Sequence, residues 1–319
     1  MMMNTFSDTN ASPKVQVSGG KPADHGLLDP LTMRARKIGR VSPLDKLYRG
    51  MTGPLRLLPD FLLIGTQRGG TNALYHYLQT HPRIKPATTP DTHFFDKKFN
   101  KGLAWYRGHF PTWLERYYAQ HLRQEAFLTG EACSSYLFYP RAPLRVAEAL
   151  PHVKLIILLR NPVDRAYSQY FHAVELGHET LPFEEAIRDE EERTARERAK
   201  IMQNANYYSD IYTHRSYLSR GVYVEQLRAW MGLFPREQFL ILKSEDFYAD
   251  PVTAFKQVST FLNLIEAEPQ LRKRDYKQYS HNRYFSAMEP ALRKRLIAHF
   301  EPHNARLSDF LGVDFGWDK

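Results

Sequence analysis

The apolar run Phe61 to Ile64 feeds through Gly65-TQRGGT directly into a helical pattern that ends near Thr80, ahead of His81-Pro82. Proline disfavours the helical conformation in the residue before it, which sets that end. A strand, a glycine-rich turn and a helix in so short a span point to folds in which helices cover a parallel sheet. The same turn aims backbone N–H groups and the positive end of the helix dipole at one point, an anion cradle suited to phosphate. Gly65 and Gly70 have the spacing of the nucleotide loop GxxxxGK followed by Ser or Thr, but Thr71 stands where that loop has lysine. The positive charge lies inside the loop instead, at Arg68.

Further alternation follows. Strands are expected over 127–130, 153–159 and 238–243, with helices over 140–150, 221–234 and 250–262 between and after them. Asn161-Pro162 opens another helix to about Leu176, with Asn161 as N-cap and Pro162 at the first helical position, where its missing N–H costs nothing. Residues 183–200, rich in mixed charge, read as a solvated helical face without chemistry. The predicted fold is a single α/β domain over residues 54–319, a P-loop-like parallel sheet flanked by helices on both faces. Residues 1–53 are expected to be a mobile, basic leader, since their first thirty positions are rich in Ser, Asn, Asp, Gly and Pro.

Charge is unevenly spread. The net +9 is carried by two segments, Leu31 to Arg56 with seven Lys/Arg against one acid, and Arg272 to Arg306 with nine against three. Such patches suit a polyanionic ligand or an anionic membrane surface, and peripheral membrane contact through the N-terminal segment is one expectation. The N-terminal stretch has neither the basic nor the apolar region of a signal peptide, and no apolar run is long enough to span a bilayer, so cytoplasmic residence is expected. A lone cysteine, Cys133, excludes an intrachain disulfide and a cysteine-based metal cluster, and the histidine spacing suggests no metal site.

Two further groups of residues carry candidate chemistry. Arg160 leaves the buried strand 153–159 at its C-terminal end, the edge where open α/β sheets bind ligands, and Ser168 lies two helical turns on. Together they can grip a second phosphate; the plainer alternative pairs Arg160 with Asp164. In Pro90-DTHFFD, Asp91 and His93 are alternate residues and share a face if the segment is extended. Glu131 is expected past the end of the second strand, on the same edge as the cradle, to orient substrate or Arg68. Trp105, Tyr106 and Tyr136 are candidates to stack on a sugar ring or to fill core.

These motifs, with the closing Phe315-Gly316-Trp317-Asp318, resemble the sulfotransferases that use 3′-phosphoadenosine-5′-phosphosulfate (PAPS), in the branch of heparan sulfate and bacterial carbohydrate enzymes. The resemblance covers about Pro59 to Asp318. It implies that Thr66, Gln67, Arg68, Gly69, Gly70, Thr71 and Asn72 hold the 5′-phosphosulfate and that Arg160 and Ser168 bind the 3′-phosphate, with Arg283 in a basic loop closing over it. Asp91 stands where the family has its proposed base, a glutamate, and His93 matches the family histidine. Arg68 stands where the family usually has lysine, and Ala132 where the animal heparan enzymes carry one.

The leading expectation is therefore a sulfotransferase moving a sulfuryl group from PAPS to a hydroxyl, of a glycan, a glycolipid or another small acceptor, by in-line displacement without a metal. Arg68 would offset charge on the bridging oxygen as it departs. Asp91 and His93 form the base pair, with His93 preferred as proton acceptor because an ordinary histidine titrates near neutral pH, and Glu131 is next in line. A P-loop kinase with a degenerate loop is the alternative enzyme, disfavoured by the missing lysine. A non-enzymatic polyanion-binding module is the other; no nucleic-acid recognition motif supports it, and nucleic acid is not an expected partner.

Overall fold

The computed structural model describes residues 42–264 and 287–318. Four parallel strands, β1 (Phe61–Gly65), β2 (Gly130–Ala132), β3 (Lys154–Leu159) and β4 (Phe239–Lys243), form one sheet in the order β2-β1-β3-β4. Leu62 pairs with Glu131 on one side and Leu155 on the other, and Leu155 with Phe239. Successive residues of β1 and β3 enter different cores. Leu62, Ile64, Leu155 and Ile157 join one cluster, while Phe61, Leu63, Ile156 and Leu158 join the other. Both faces are thus buried, which is why these strands read as continuous apolar runs rather than alternating ones. Helices Ala142–Ala149 and Tyr223–Met231 cover the first face, and Thr71–Leu78 and Pro251–Phe261 the second.

The order of the strands positions the site. From β1 the chain moves outward to β2, then crosses to β3 on the other side of β1, so the connections leaving β1 and β3 diverge and open a crevice at their carboxyl ends. The glycine loop leaves β1 there and Arg160 leaves β3; the two are tied by the Thr66 N–H donating to the Leu158 carbonyl at 2.8 Å. Asn161 caps helix Pro162–Glu175 through its Oδ1, which accepts from the Val163 N–H at 3.0 Å. Glu245, accepting from the Asn161 N–H at 2.8 Å, and Trp317, donating to Glu245 at 3.4 Å, brace the same turn. That gives the closing Phe-Gly-Trp-Asp motif a structural task.

Three expectations need correction. The second strand lies at 130–132, not 127–130, so Glu131 is within it. The charged stretch is two helices, Phe183–Arg188 and Glu190–Gln203, and is not all solvated. Buried Glu190 accepts from the N–H groups of Tyr217, Leu218 and Ser219 at 2.9, 2.6 and 2.9 Å, holding the loop that follows the next helix. Helix Pro43–Met51 falls inside the stretch expected as a leader, yet belongs to the same compact unit as the sheet, with Arg49 reaching the Gly108 carbonyl at 3.5 Å.

Candidate active site

A cavity of about 900 Å³ opens at the carboxyl edge of the sheet. Its floor is the glycine loop. Gln67, Arg68, Gly70, Thr71 and Asn72 line it, whereas Thr66 and Gly69 shape the loop from behind. The Thr66 carbonyl accepts from the Gly69 N–H at 2.9 Å, and a β-carbon on Gly69 would stand 2.7 Å from the Leu158 oxygen. Gly70 has φ 101°, a left-handed value that favours glycine, and a β-carbon there would also meet the Tyr248 hydroxyl at 2.9 Å. Gln67 Oε1 is buried without a hydrogen-bond partner, as expected of a group positioned for a ligand.

Arg68 and Arg160 meet over this floor. Arg68 Nε donates to Ser168 Oγ at 3.0 Å, and Arg160 Nη1 donates to the Arg68 carbonyl at 3.0 Å. Burial, and then the neighbouring charge of Arg160, push the Arg68 pKa below the ordinary arginine value. Among the described residues neither arginine has an acidic partner within ion-pair distance. The expected alternative of an Arg160–Asp164 pair does not form, because Asp164 is taken by Arg293 at 2.7 Å. Two apposed cations with no anion between them cost free energy that a bound dianion would recover. Arg283 and the neighbouring basic positions 272–277 lie outside the described residues.

The same cavity is also lined by Asp91 and His93. The two do converge, although not through an extended segment, since His93 has φ 54°. His93 Nε2 contacts Asp91 Oδ2 at 3.1 Å and Nδ1 contacts buried Asp96 Oδ2 at 2.9 Å. Burial alone would lower the histidine's pKa, but bonds to the two carboxylates outweigh it and raise the value to about 10. A value so far above neutrality favours the imidazolium and weighs against His93 as the proton acceptor. Asp91 is the member of the pair whose carboxylate stays partly open to the cavity, its side chain 41% exposed. Asp96 also accepts from the Ser135 hydroxyl, and His93 together with these bonds holds its pKa low against burial.

Glu131 is fully buried and does not line the cavity, contrary to the expectation that it reaches substrate or Arg68. It accepts from the Thr92 N–H at 3.1 Å, the Tyr106 hydroxyl at 2.8 Å and the Tyr136 hydroxyl at 3.1 Å. Burial pushes its pKa up to about 7 in spite of those bonds. Its influence on the site passes through the backbone of Thr92, the residue between Asp91 and His93. Tyr106 and Tyr136 are consequently core residues, not a sugar platform.

Several lining residues escaped the sequence reading. Lys98 donates from Nζ to the Thr92 carbonyl at 2.9 Å and lies 5.6 Å from the centre of the Trp105 ring, while Tyr248 and Ser244 close the loop side. Lys97-Lys98 directly follow the His-Phe-Phe-Asp motif, and that adjacency was the available signal. A trio with metal-ligand chemistry, Asp91, His93 and Cys133, also brings its donor atoms within 4.8 Å of one another, which spacing in sequence did not reveal. Ligation there would have to break the His93 bonds to Asp91 or Asp96 and ionise a thiol whose pKa burial pushes well above the usual value.

The family profile described as "Sulfotransferase domain" matches residues 58–303. The chain belongs to the sulfotransferase family. Human heparan sulfate glucosamine 3-O-sulfotransferase 3B1 is 28% identical to it over 327 residues, covering 97% of this chain and 77% of that protein. Mouse heparan sulfate glucosamine 3-O-sulfotransferase 3A1 is 30% identical over 280 residues, 82% of this chain and 65% of the relative. The crystal structure of a sulfotransferase from Alicyclobacillus acidocaldarius superimposes with a TM-score of 0.60 at 31% identity, over 82% of this chain and all of that one. This sulfotransferase is accordingly an enzyme of sulfuryl transfer. The kinase and non-enzymatic readings lose their footing.

Proposed function

We propose that the sulfuryl donor is PAPS and the acceptor a carbohydrate hydroxyl, on a glycan or a glycolipid. The observation that carries the donor is the pair Arg68 and Arg160 with Ser168, cations without a counter-ion among the described residues at the carboxyl edge of the sheet. Loop amides from Gln67 to Asn72 and the Arg68 guanidinium would hold the 5′-phosphosulfate, and Arg160 with Ser168 the 3′-phosphate. The relatives named for a glucosamine hydroxyl support the carbohydrate acceptor. Ala132, where the animal heparan enzymes carry lysine, keeps the assignment at carbohydrate rather than heparan sulfate.

In the in-line displacement, the acceptor oxygen forms its bond to sulfur as the bond to the phosphate oxygen breaks. The Asp91 carboxylate takes the hydroxyl proton, His93 as a cation fixes that carboxylate, and Arg68 offsets the charge growing on the departing oxygen. The lone buried thiol of Cys133 suits a reducing compartment, and the cytoplasm is the working location. Incubation with radiolabelled PAPS and a panel of glycans, glycolipids and simple alcohols tests the reading. Label is expected in carbohydrate; transfer only to non-carbohydrate alcohols overturns the acceptor. A thermal shift with ATP and Mg²⁺ that matches that of adenosine 3′,5′-bisphosphate overturns the donor.

A further inference from the structure

Asp91 and His93 are carried by a segment that β2 and its neighbours hold residue by residue. Upstream of Asp91, the Ala132 N–H donates to the Pro90 carbonyl at 2.8 Å. Downstream, the Thr92 N–H donates to Glu131 Oε2 at 3.1 Å, so the last two residues of β2 grip the chain on both sides of the aspartate. His93 is bracketed in the same way. Glu131 Oε1 accepts from the Tyr136 hydroxyl at 3.1 Å, and the Tyr136 oxygen accepts from the Phe94 N–H at 2.9 Å. Lys98 adds a third hold: its Nζ donates to the Thr92 carbonyl at 2.9 Å and its backbone N–H to the His93 carbonyl at 2.8 Å. Buried Thr92 thus has an anion on its N–H and a cation on its carbonyl. His93 needs such support, because its φ of 54° is a left-handed value that a residue other than glycine keeps only where its surroundings fix it.

We propose that Glu131 and Lys98 are positioning residues for sulfuryl transfer, which set the rate by fixing the backbone that aims Asp91 and His93 at the acceptor. The inference rests on the reading above that Asp91 takes the acceptor proton. Packing alone does not account for the glutamate. A buried carboxylate is costly, and an apolar side chain would fill the space, but it would leave the Thr92 N–H and the Tyr106 and Tyr136 hydroxyls without their acceptor. A carboxylate only accepts, whereas glutamine turns N–H donors toward one of these groups, so the carboxylate alone serves the peptide and both tyrosines together. Lys98 is likewise not spent on an acid. Among the described residues it makes no ion pair, and its Nζ, 5.6 Å from the centre of the Trp105 ring, reaches a carbonyl instead. Misplacing a reacting group by about 1 Å can cost about 10²-fold in rate, which is the scale on which such a clamp acts.

The test is transfer of label from PAPS to the most strongly labelled carbohydrate of the panel, expressed per nucleotide site counted by titration with adenosine 3′,5′-bisphosphate. Lys98→Met should lower kcat by about 10- to 100-fold with acceptor KM and nucleotide affinity within about twofold of the parent, and Lys98→Arg should regain most of the loss. Glu131→Gln should lower kcat over the same range; if it fails to fold, the Lys98 variants decide. Because both residues act through Asp91, adding Lys98→Met to Asp91→Asn should cost less than about threefold more, a non-additivity that a general loss of stability would not produce. Parental kcat in Lys98→Met or in folded Glu131→Gln, a change confined to acceptor KM, or the full additional loss in the Asp91→Asn background overturns the proposal. Asp91→Asn at the parental rate overturns the assignment of the base instead, and the clamp falls with it.

Discussion

The two walls of the cavity solve opposite electrostatic problems. On the loop side, Arg68 and Arg160 stand together with only neutral partners among the described residues, Ser168 and a carbonyl oxygen. On the other side, His93 is held between Asp91 and Asp96, so that cation and carboxylates are paired within the protein. The first wall is left incomplete, so its charges are satisfied by ligand; the second is complete, so its charges orient one another. Binding strength should therefore reside in the loop wall, and proton traffic in the partly exposed Asp91 carboxylate of the other.

Asp91→Asn tests this division most severely. It removes the carboxylate charge while leaving the loop wall alone, so kcat should fall by about 10² to 10⁴ with little change in affinity for adenosine 3′,5′-bisphosphate. Single-turnover sulfuryl transfer and nucleotide titration measure the two; a large loss of nucleotide affinity would mean that the walls are not separable. Arg68→Ala should lower kcat by roughly 10²-fold or more, comparable with losing one oxyanion donor, and by more than it weakens the donor's binding. A change confined to KM would reassign Arg68 to binding alone. Arg160→Ala should cost roughly 1.5 to 3 kcal/mol of bisphosphate affinity, the range for hydrogen bonds to charged groups, and leave ATP binding nearly as it was. Calorimetric titration of both nucleotides reads this directly.

The smallest effect concerns pH. His93 has its pKa raised from 6.5 to about 10, so its contribution to stability is fully present below about pH 6.5 and is lost as pH rises toward 10. The thermal midpoint of the parent chain should fall over that window by more than that of His93→Asn. Parallel curves would show that the histidine is not held as a cation, and would return it to the role of proton acceptor.

How much of this was legible beforehand differs between the walls. Gly65, Gly70, Arg68 and the Asn161-Pro162 start are local devices: a turn conformation, a helix cap and a strand end are specified by adjacent residues, and they form where expected. The second wall was legible in its members but not in its roles. Asp91 and His93 were picked out from alternation, yet Asp96, three residues on, with Ser135 and Glu131, from distant segments, set the histidine's charge and the backbone under it. Glu131 misled because a carboxylate near a strand end reads as exposed; three donors from Thr92, Tyr106 and Tyr136 make its burial tolerable.

The sequence by itself determined the alternation of strand and helix, the anion cradle and the family, because apolar periodicity, glycine placement and motif order are properties of neighbours along the chain. Only the tertiary structure decided that His93 sits between two carboxylates, that Arg160 is not spent on Asp164, and that Glu131 is buried. Proton affinity and exposure depend on what lies within a few ångströms in space, and those neighbours, Asp96 beside His93 and Arg293 on Asp164, come from 3 and 129 positions away.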